Sequence, residues 1–207
     1  MVTRQKLLDI PVLKLHLIVN ESQLSLNYSL FEDYVHSITD IIQFTNLHID
    51  FSRFSMISLL QYLYHLPSLD SLTITSKFPE RSNIIFIEEN DIFQMVSTRN
   101  KITKLSIEQM TELDQVHHLM TLCPHLHYFQ LTCRNITDAE WLIRYVLTKQ
   151  NDNFIPHLCL MCITLSNADE IITNRLQKII DSEKLIVHFK IFRICDKIYL
   201  QWNKHFK

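Results

Sequence analysis

The nine residues LPSLDSLTI, at positions 66–74, place apolar side chains at spacings that fit neither an α-helix nor a single β-strand. From Leu66 the apolar residues follow at steps of three, three and two, through Leu69 and Leu72 to Ile74. The last two residues of this series have the period of a strand with one buried face. The earlier leucines would lie on a turn that leads into the strand and point into the same core. The stretch therefore predicts a turn followed by a short, half-buried strand.

The same pattern, P-x-L-x-x-L-x-L, recurs along the chain. Some copies keep the proline and every apolar position, whereas the others lack the proline or shift it. The copies begin at residues 10 (IPVLKLHL), 42 (IQFTNLHI), 67 (PSLDSLTI), 100 (NKITKLSI), 124 (PHLHYFQL), 156 (PHLCLMCI) and 184 (KLIVHFKI). Successive copies start between 24 residues (100 to 124) and 33 residues (67 to 100) apart. A period of this length is typical of stacked structural repeats.

Segments with helical spacing separate these predicted strands. Apolar residues recur every three to four positions at Phe54, Ile57, Leu60 and Tyr64, and an amphipathic run covers residues 171–180. The sequence therefore predicts an α/β fold of about seven strand–helix units, with a parallel sheet on one side and helices on the other.

Local signals support the ends of these units. Residues 137–140 and 166–170 resemble helix starts, because hydroxyl or amide residues precede acids there. Residues 189–202 read as two apolar strands around a Cys195–Asp196–Lys197 turn, which predicts a hairpin that closes one end of the stack. A terminal unit is expected to differ from the others because one of its faces has no neighbour.

The composition excludes several classes of function. None of the 207 residues is glycine, whereas average usage is about 7%. A P-loop, a dinucleotide-binding fingerprint and a G-x-S-x-G nucleophile elbow all need glycine, so none is present. Turns must instead use Asn, Asp, Ser and Pro. The length suits one domain or one repeat array.

Charge and hydropathy give further expectations about partners. The formal net charge is −2, which does not favour a nucleic-acid partner. The apolar run at 10–19 is broken by Lys14 and His16 and is too short to cross a bilayer. We therefore expect no nucleic-acid or membrane partner, and a cytoplasmic or nuclear location.

The five cysteines are odd in number and favour free thiols in a reducing compartment. Cys159 and Cys162 form a single C-x-x-C pair, whereas a structural zinc site needs four ligands; His125 and His127 could complete only a mixed site. Cys133 with nearby histidines is a conceivable nucleophile, but no oxyanion-binding group or third residue accompanies it. The sequence predicts no cofactor, no metal site and no enzymatic activity, with a metal- or thiol-dependent enzyme as the alternative.

These repeats resemble those of leucine-rich-repeat proteins, and their long period with helices resembles the ribonuclease-inhibitor-like and F-box-associated branch. The stretches CPHLHYFQL at 123–131 and LPSLDSLTI at 66–74 are similar to the repeats that follow the F-box in ubiquitin-ligase receptor subunits. The resemblance covers residues 10–195. It implies a single leucine-rich-repeat domain over residues 1–207, which is a solenoid with a concave parallel sheet and convex helices.

Two departures from the family pattern limit what the resemblance implies. No F-box is recognisable, because residues 1–45 already read as repeat material. The asparagine that usually follows the strand does not recur regularly, and Asn135 is the best example of it. If the resemblance holds, we expect this chain to be the recognition half of a receptor or a fragment of a longer protein.

The function implied by the resemblance is a protein-recognition scaffold. In one version it is the substrate-recognition part of an F-box-type ubiquitin-ligase receptor, with ligase adaptor subunits as partners if an F-box exists elsewhere in the full-length protein. The alternative is a ribonuclease-inhibitor-like regulatory or assembly solenoid that is unconnected to ubiquitination.

The predicted binding residues are the polar neighbours of the buried strand positions, on the concave face of the sheet. They are Lys14, His16, Asn46, His48, Asp50, Ser71, Thr73, Thr75, Lys104, Ser106, Glu108, Tyr128, Gln130 and Thr132. This mixed polar surface with one aromatic suits a protein or peptide ligand better than a phosphate backbone. The competing interpretation is that these residues are solvated strand faces without a ligand.

Overall fold

The computed structural model describes residues 12–17, 43–50, 56–75, 91–109, 113–152 and 154–202. Within these ranges the chain forms one mixed α/β unit with eight strands in a single sheet. The strands are β1 Val12–Leu17, β2 Gln43–Ile49, β3 Ser71–Ile74, β4 Lys104–Ile107, β5 Tyr128–Cys133, β6 Leu160–Leu165, β7 Phe189–Ile194 and β8 Lys197–Trp202. The helices are α1 Met56–His65, α2 Asp91–Arg99, α3 Leu113–Leu122, α4 Ile136–Asn151 and α5 Glu170–Ser182.

Strands β1 to β6 lie side by side in chain order, each parallel to the next. From β2 to β7 a described helix connects each strand to the following one. The register joins equivalent positions of the sequence copies. From β2 to β6 the two inward rows are Leu47, Leu72, Leu105, Phe129, Met161 and Ile49, Ile74, Ile107, Leu131, Ile163. The α/β class and the mostly parallel sheet are therefore confirmed.

The copy that begins at residue 184 does not form a seventh parallel unit, so that part of the prediction is wrong. Its strand, β7, pairs antiparallel with β8, and β8 lies between β6 and β7. The reason lies in the inward rows. Strand β8 supplies Ile198, Leu200 and Trp202, which are all buried, whereas β7 carries Arg193 on that side. The predicted hairpin at 189–202 is confirmed.

The P-x-L part of the pattern forms a β-turn that leads into β3, β5 and β6. In this turn the leucine N–H donates to the carbonyl of the residue that precedes the proline. The donor–acceptor pairs are Leu69 N to Leu66 O (3.3 Å), Leu126 N to Cys123 O (3.2 Å) and Leu158 N to Ile155 O (3.2 Å). Proline suits the second turn position because its ring fixes φ near the value required there. The spacing of the opening stretch thus follows from a turn joined to a strand.

Because the chain has no glycine, residues of other types must adopt the left-handed conformation, and three of them do so in the described ranges. Asn167, Lys184 and Cys195 have φ values of 64°, 52° and 55°. Of these three, only Asn167 is one of the residue types expected in the turns. Asparagine adopts positive φ more readily than most other side chains.

The strand rows and the helices share one hydrophobic core. Helix α1 buries Met56, Leu59, Leu60 and Leu63, which form one stripe at helical spacing. The predicted apolar face of this segment is wrong in part, because Ile57 is 56% exposed. Within the described ranges, no helix is long and apolar enough to cross a membrane.

Side-chain caps begin the two C-terminal helices. The Asn135 carboxamide accepts from the N–H of Asp138 at 3.0 Å, and the Asp169 carboxylate accepts from the N–H of Ile172 at 2.7 Å. Such caps satisfy backbone donors that have no partner inside the helix. Helix α4 therefore begins two residues earlier than the signal at Thr137 predicts, and the cap of α5 is Asp169, three residues after the first residue of the 166–170 signal.

Candidate functional site on the open face of the sheet

Alternate strand residues point away from the helix-covered core and form what we call the open face. The register arranges them in three rows that run across the strands. Row one contains Lys14, Asn46, Ser71, Lys104, Tyr128, Leu160, Gln201 and Lys190; row two contains His16, His48, Thr73, Ser106, Gln130, Cys162, Tyr199 and Phe192; row three contains Asp50, Thr75, Glu108, Thr132, Thr164, Lys197 and Ile194. Residues on neighbouring strands lie about 4.8 Å apart, so each row is a continuous line of side chains.

Twelve of the fourteen residues predicted to bind a ligand occupy these rows, on or directly after strands β2 to β5. For Lys14 and His16 the structure gives the backbone register, opposite Asn46 and His48. Among the other twelve, Lys104 and Glu108 are exposed and the rest are half-buried. The fold therefore brings the predicted residues onto one surface, while their role in binding stays a prediction.

Charge is divided between the two outer rows. On β2 to β5, row one carries the cation Lys104 and row three carries the anions Asp50 and Glu108, whereas on β8 row three carries the cation Lys197. On β2 to β5 the middle row presents hydroxyl, amide and imidazole groups. A ligand that crosses β2 to β5 would meet positive charge in row one and negative charge in row three.

Asp70, just before β3, ties two neighbouring units together at the edge of row one. Its carboxylate accepts from Thr103 Oγ1 and from Lys104 Nζ, the latter at 2.8 Å. Its carbonyl also accepts from the N–H groups of Thr103 and Lys104 at 2.8 and 3.0 Å. The hydrogen bonds from Lys104 and then Thr103 hold the pKa of Asp70 below its ordinary value of 3.8.

We expect Asp70→Asn to lower the free energy of unfolding at pH 7 by about 0.5 kcal/mol, because the ion pair is largely exposed. A carboxylate with a lowered folded-state pKa stabilises the protein above its unfolded pKa, and this contribution is lost as pH falls through the folded pKa. The difference between wild type and variant should therefore shrink below about pH 4. Urea denaturation at pH 7 and pH 3 measures it, with Asp152→Asn as the matched control. A difference that grows on acidification would contradict this assignment.

The open face becomes apolar where β5 and β6 meet the hairpin. The thiol of Cys162 is fully buried and lies beside the hydroxyl groups of Tyr128 and Tyr199. The Tyr199 ring stacks on Phe192 with centroids 5.3 Å apart. Burial raises the pKa of Cys162, which outweighs the opposing hydrogen bonds from the two tyrosines. We call Tyr128, Leu160, Cys162, Phe192 and Tyr199 the apolar end of the open face.

Sequence reasoning missed most of this apolar end. Leu160 and Cys162 follow from the same alternation that places Tyr128, and extending the rule by one strand would have found them. Tyr199 and Phe192 could not be placed in this way, because the pattern does not indicate that β8 inserts between β6 and β7.

The remaining thiols and imidazoles form no candidate metal centre among the residues that the structure describes. No group of three or more His, Cys, Asp or Glu side chains there is arranged to hold a metal ion. Burial raises the pKa of Cys123 and Cys133 to about 12, so both stay protonated and poorly nucleophilic. Cys159 lies before β6 and its thiol donates to His127 O at 3.6 Å, apart from the tyrosine-covered Cys162.

Thiol modification should follow this burial. We expect iodoacetamide to modify the exposed Cys195 first. The buried Cys123, Cys133 and Cys162 should be modified more slowly, by on the order of 100-fold. Peptide mass spectrometry over a time course measures each site. Fast modification of Cys162 in the folded protein would show that the two tyrosines do not cover it.

Comparison of the chain with protein-family models, with curated proteins and with solved structures gives no match. The geometry of the open face and the repeat pattern of the chain are therefore the two indications of function.

Proposed function

We propose that the chain is a leucine-rich-repeat-type solenoid that binds a protein or peptide ligand on its open face. The observation that carries this proposal is the in-register stacking of sequence copies in β1 to β6, which repeats the same outward positions on each strand. Repeat proteins of this kind use extended, concave sheet surfaces for binding. The backbone ladder fixes the spacing of the rows, so a ligand meets a preorganised surface.

The chemistry of the open face favours a polypeptide ligand. Hydroxyl and amide side chains such as Thr73, Ser106 and Gln130 can donate to and accept from a peptide backbone. On β2 to β5 the two outer rows offer opposite charge signs, which would orient a crossing peptide by its own charged side chains. A nucleic-acid backbone is disfavoured for two reasons. Lys104 is already paired with Asp70, and the anions Asp50 and Glu108 lie on the same surface.

Within this class, the similarity of residues 66–74 and 123–131 to repeats that follow an F-box favours one role. We propose that the chain serves as the substrate-recognition part of an F-box-type ubiquitin-ligase receptor. A regulatory or assembly solenoid of the ribonuclease-inhibitor-like kind is the alternative. The two differ in partners, because only the first is expected to associate with ligase adaptor subunits.

Quantitative affinity purification from native-source cells tests this proposal. The tagged wild type would be compared with a Thr73→Arg, Ser106→Arg, Gln130→Arg variant of row two and with a Thr98→Arg, Thr148→Arg, Asn174→Arg control. The control positions are exposed helix residues, so both variants add the same charge on different sides. Thermal denaturation first establishes that both variants are folded.

We expect the row-two variant to lose specific partners by at least about tenfold, since buried arginines would leave unpaired charge in the interface. The control should retain them. Equal recovery from both variants would contradict binding on the open face. Ligase adaptor subunits among the retained partners would support the receptor role, and their absence would favour the regulatory solenoid.

A further inference from the structure

Strand β7 lies at one edge of the sheet, opposite the edge formed by β1, and no other strand in the described ranges pairs with its outer side. Leu165 N donates to Asp196 O at 2.9 Å, and Trp202 N donates to Cys159 O at 3.1 Å. Even-numbered residues of β8 therefore bond to β6, and odd-numbered residues bond to β7, because antiparallel ladders alternate. The β8 residues that bond to β7 pair with Lys190, Phe192 and Ile194. The N–H and C=O groups of Phe189, Ile191 and Arg193 consequently point away from the sheet.

No residue in the described part of the chain forms a backbone hydrogen bond with these outward groups. Six backbone groups in a row, three donors and three acceptors, are a template for one more strand. Natural edges are commonly blocked by charged side chains that cross them. Here the Arg193 guanidinium instead turns back, donating to Cys195 O at 2.8 Å and to Ala168 O at 3.3 Å.

A groove of about 540 Å³ runs along this free edge, between β7 and helix α5. Its strand wall carries Val187 and residues 189–192, with Lys190 and Phe192 among them, and its helix wall carries Gln177 and Asp181. Val187 is 79% exposed, while Phe189 and Ile191 are half-buried against the core. The volume lies within the range of ligand-binding clefts, roughly 300–1,000 Å³.

We infer that the groove between β7 and α5 binds an extended acidic–apolar peptide of another protein, which adds to β7 as a further strand. Binding by strand addition takes its affinity from main-chain hydrogen bonds and its specificity from alternate side chains. This site touches the open face only at β7, whereas the residues replaced to test the proposed function lie on β3 to β5, so either can fail without the other.

The side chains of β7 define the chemistry of the added strand. On the groove side it would place apolar residues against Phe189 and Ile191. On the open side its residues would lie opposite Lys190, Phe192 and Ile194. This favours an acid opposite Lys190 and apolar side chains opposite Phe192 and Ile194. Lys190 forms no ion pair with any residue that the structure describes. Asp181 on the helix wall disfavours acids on the groove side, so the acid belongs opposite Lys190.

A second copy of the chain fits this edge less well than a single peptide strand. If two β7 strands paired symmetrically, they would lie about 4.8 Å apart. Helix α5 borders the groove in each copy, and a helix with its side chains is about 10–12 Å wide. The two helices would compete for the space beside the new strand pair, whereas a single extended segment needs only the groove.

The probe is the octapeptide Glu-Val-Thr-Ile-Val-Glu-Val-Glu, acetylated, amidated and fluorescein-labelled. Aligned antiparallel, it places its second Glu opposite Lys190, its Ile opposite Phe192 and its second Val opposite Ile191. Fluorescence anisotropy with the full chain measures its Kd. Two matched peptides carry one backbone N-methyl group each. In the first it is on the second Val, whose N–H would face β7. In the second it is on the preceding Ile, whose N–H would face solvent.

The matched protein variants are Ile191→Pro and Lys190→Glu. Because the Ile191 N–H points outward, proline there removes an edge donor without breaking the β7–β8 ladder, and edge strands tolerate proline at such positions. Lys190→Glu keeps the backbone and reverses the charge opposite the acid. Circular dichroism and thermal denaturation establish that both variants keep the fold.

We expect saturable binding that Ile191→Pro and methylation of the second Val each weaken by about tenfold or more. Methylation of the Ile should have little effect, and Lys190→Glu should weaken binding of this acidic probe. Absence of binding, or equal loss from both methylated peptides, would overturn the inference. A wild-type dimer in sedimentation equilibrium that Ile191→Pro converts to monomer would also overturn it, because the edge would then belong to a second copy.

Discussion

Replacing Phe129 with alanine is expected to lower the free energy of unfolding by about 3–5 kcal/mol. Phe129 is fully buried at the centre of β5, where its register partners are Leu105 on β4 and Met161 on β6. Truncation removes apolar area from the core and leaves a cavity that fixed strands on both sides cannot close. Because the copies stack in register, the cavity would weaken the packing of three consecutive units.

Urea denaturation followed by far-UV circular dichroism measures this loss, and Ser106→Ala is the matched control. Ser106 lies on the neighbouring strand but on the open face, so we expect its replacement to cost less than about 1 kcal/mol. Equal losses from the two variants would contradict the assignment of inward and outward rows.

Replacing Asn100 with alanine is expected to destabilise the protein by about 2–4 kcal/mol, because it leaves several buried groups without partners. The Asn100 carboxamide donates to Leu122 O at 2.6 Å and to Val96 O at 2.9 Å. Its oxygen accepts from the N–H of Ile102 at 3.2 Å. Asn100 is 2% exposed, so water cannot replace these hydrogen bonds.

Thermal and urea denaturation measure this effect, with Thr98→Ala as the control in the last turn of the same helix. Thr98 donates only to the exposed carbonyl of Gln94, at 2.8 Å, and its loss should cost less than about 0.5 kcal/mol. If Asn100→Ala were as stable as the control, the link that Asn100 makes between the ends of α2 and α3 would contribute nothing.

The role of Asn100 illustrates what the repeat pattern can and cannot predict. Position 100 corresponds to Pro67, Pro124 and Pro156, and from the sequence it is simply a copy that lacks proline. In the fold its carboxamide takes over part of the turn, because it bonds to the N–H of Ile102 two residues later. The copy is correctly predicted, but its stabilising side chain is not, because the partner carbonyl of Leu122 belongs to another unit.

The parallel part of the sheet follows directly from the sequence because strands of equivalent copies pair in register. The same regularity places the twelve predicted residues on or directly after β2 to β5 on the open face. The antiparallel end is different, since the position of β8 is decided by which strand best covers β6. Strand β8 covers it with Leu200 and Trp202, and no local pattern shows this competition. The apolar end of the open face was missed for the same reason.

Site-specific photo-crosslinking in native-source cells tests the central claim, that the open face binds a protein, most directly. Benzoylphenylalanine would replace Thr73 in the middle row or, as the control, Thr98 on the helix side of the same region. We expect benzoylphenylalanine at position 73 to give a discrete crosslinked protein that mass spectrometry identifies. This product should be lost when Gln130→Arg is also present, and position 98 should not give it. Crosslinks from Thr98 alone, or the same crosslinked proteins from both positions, would contradict it.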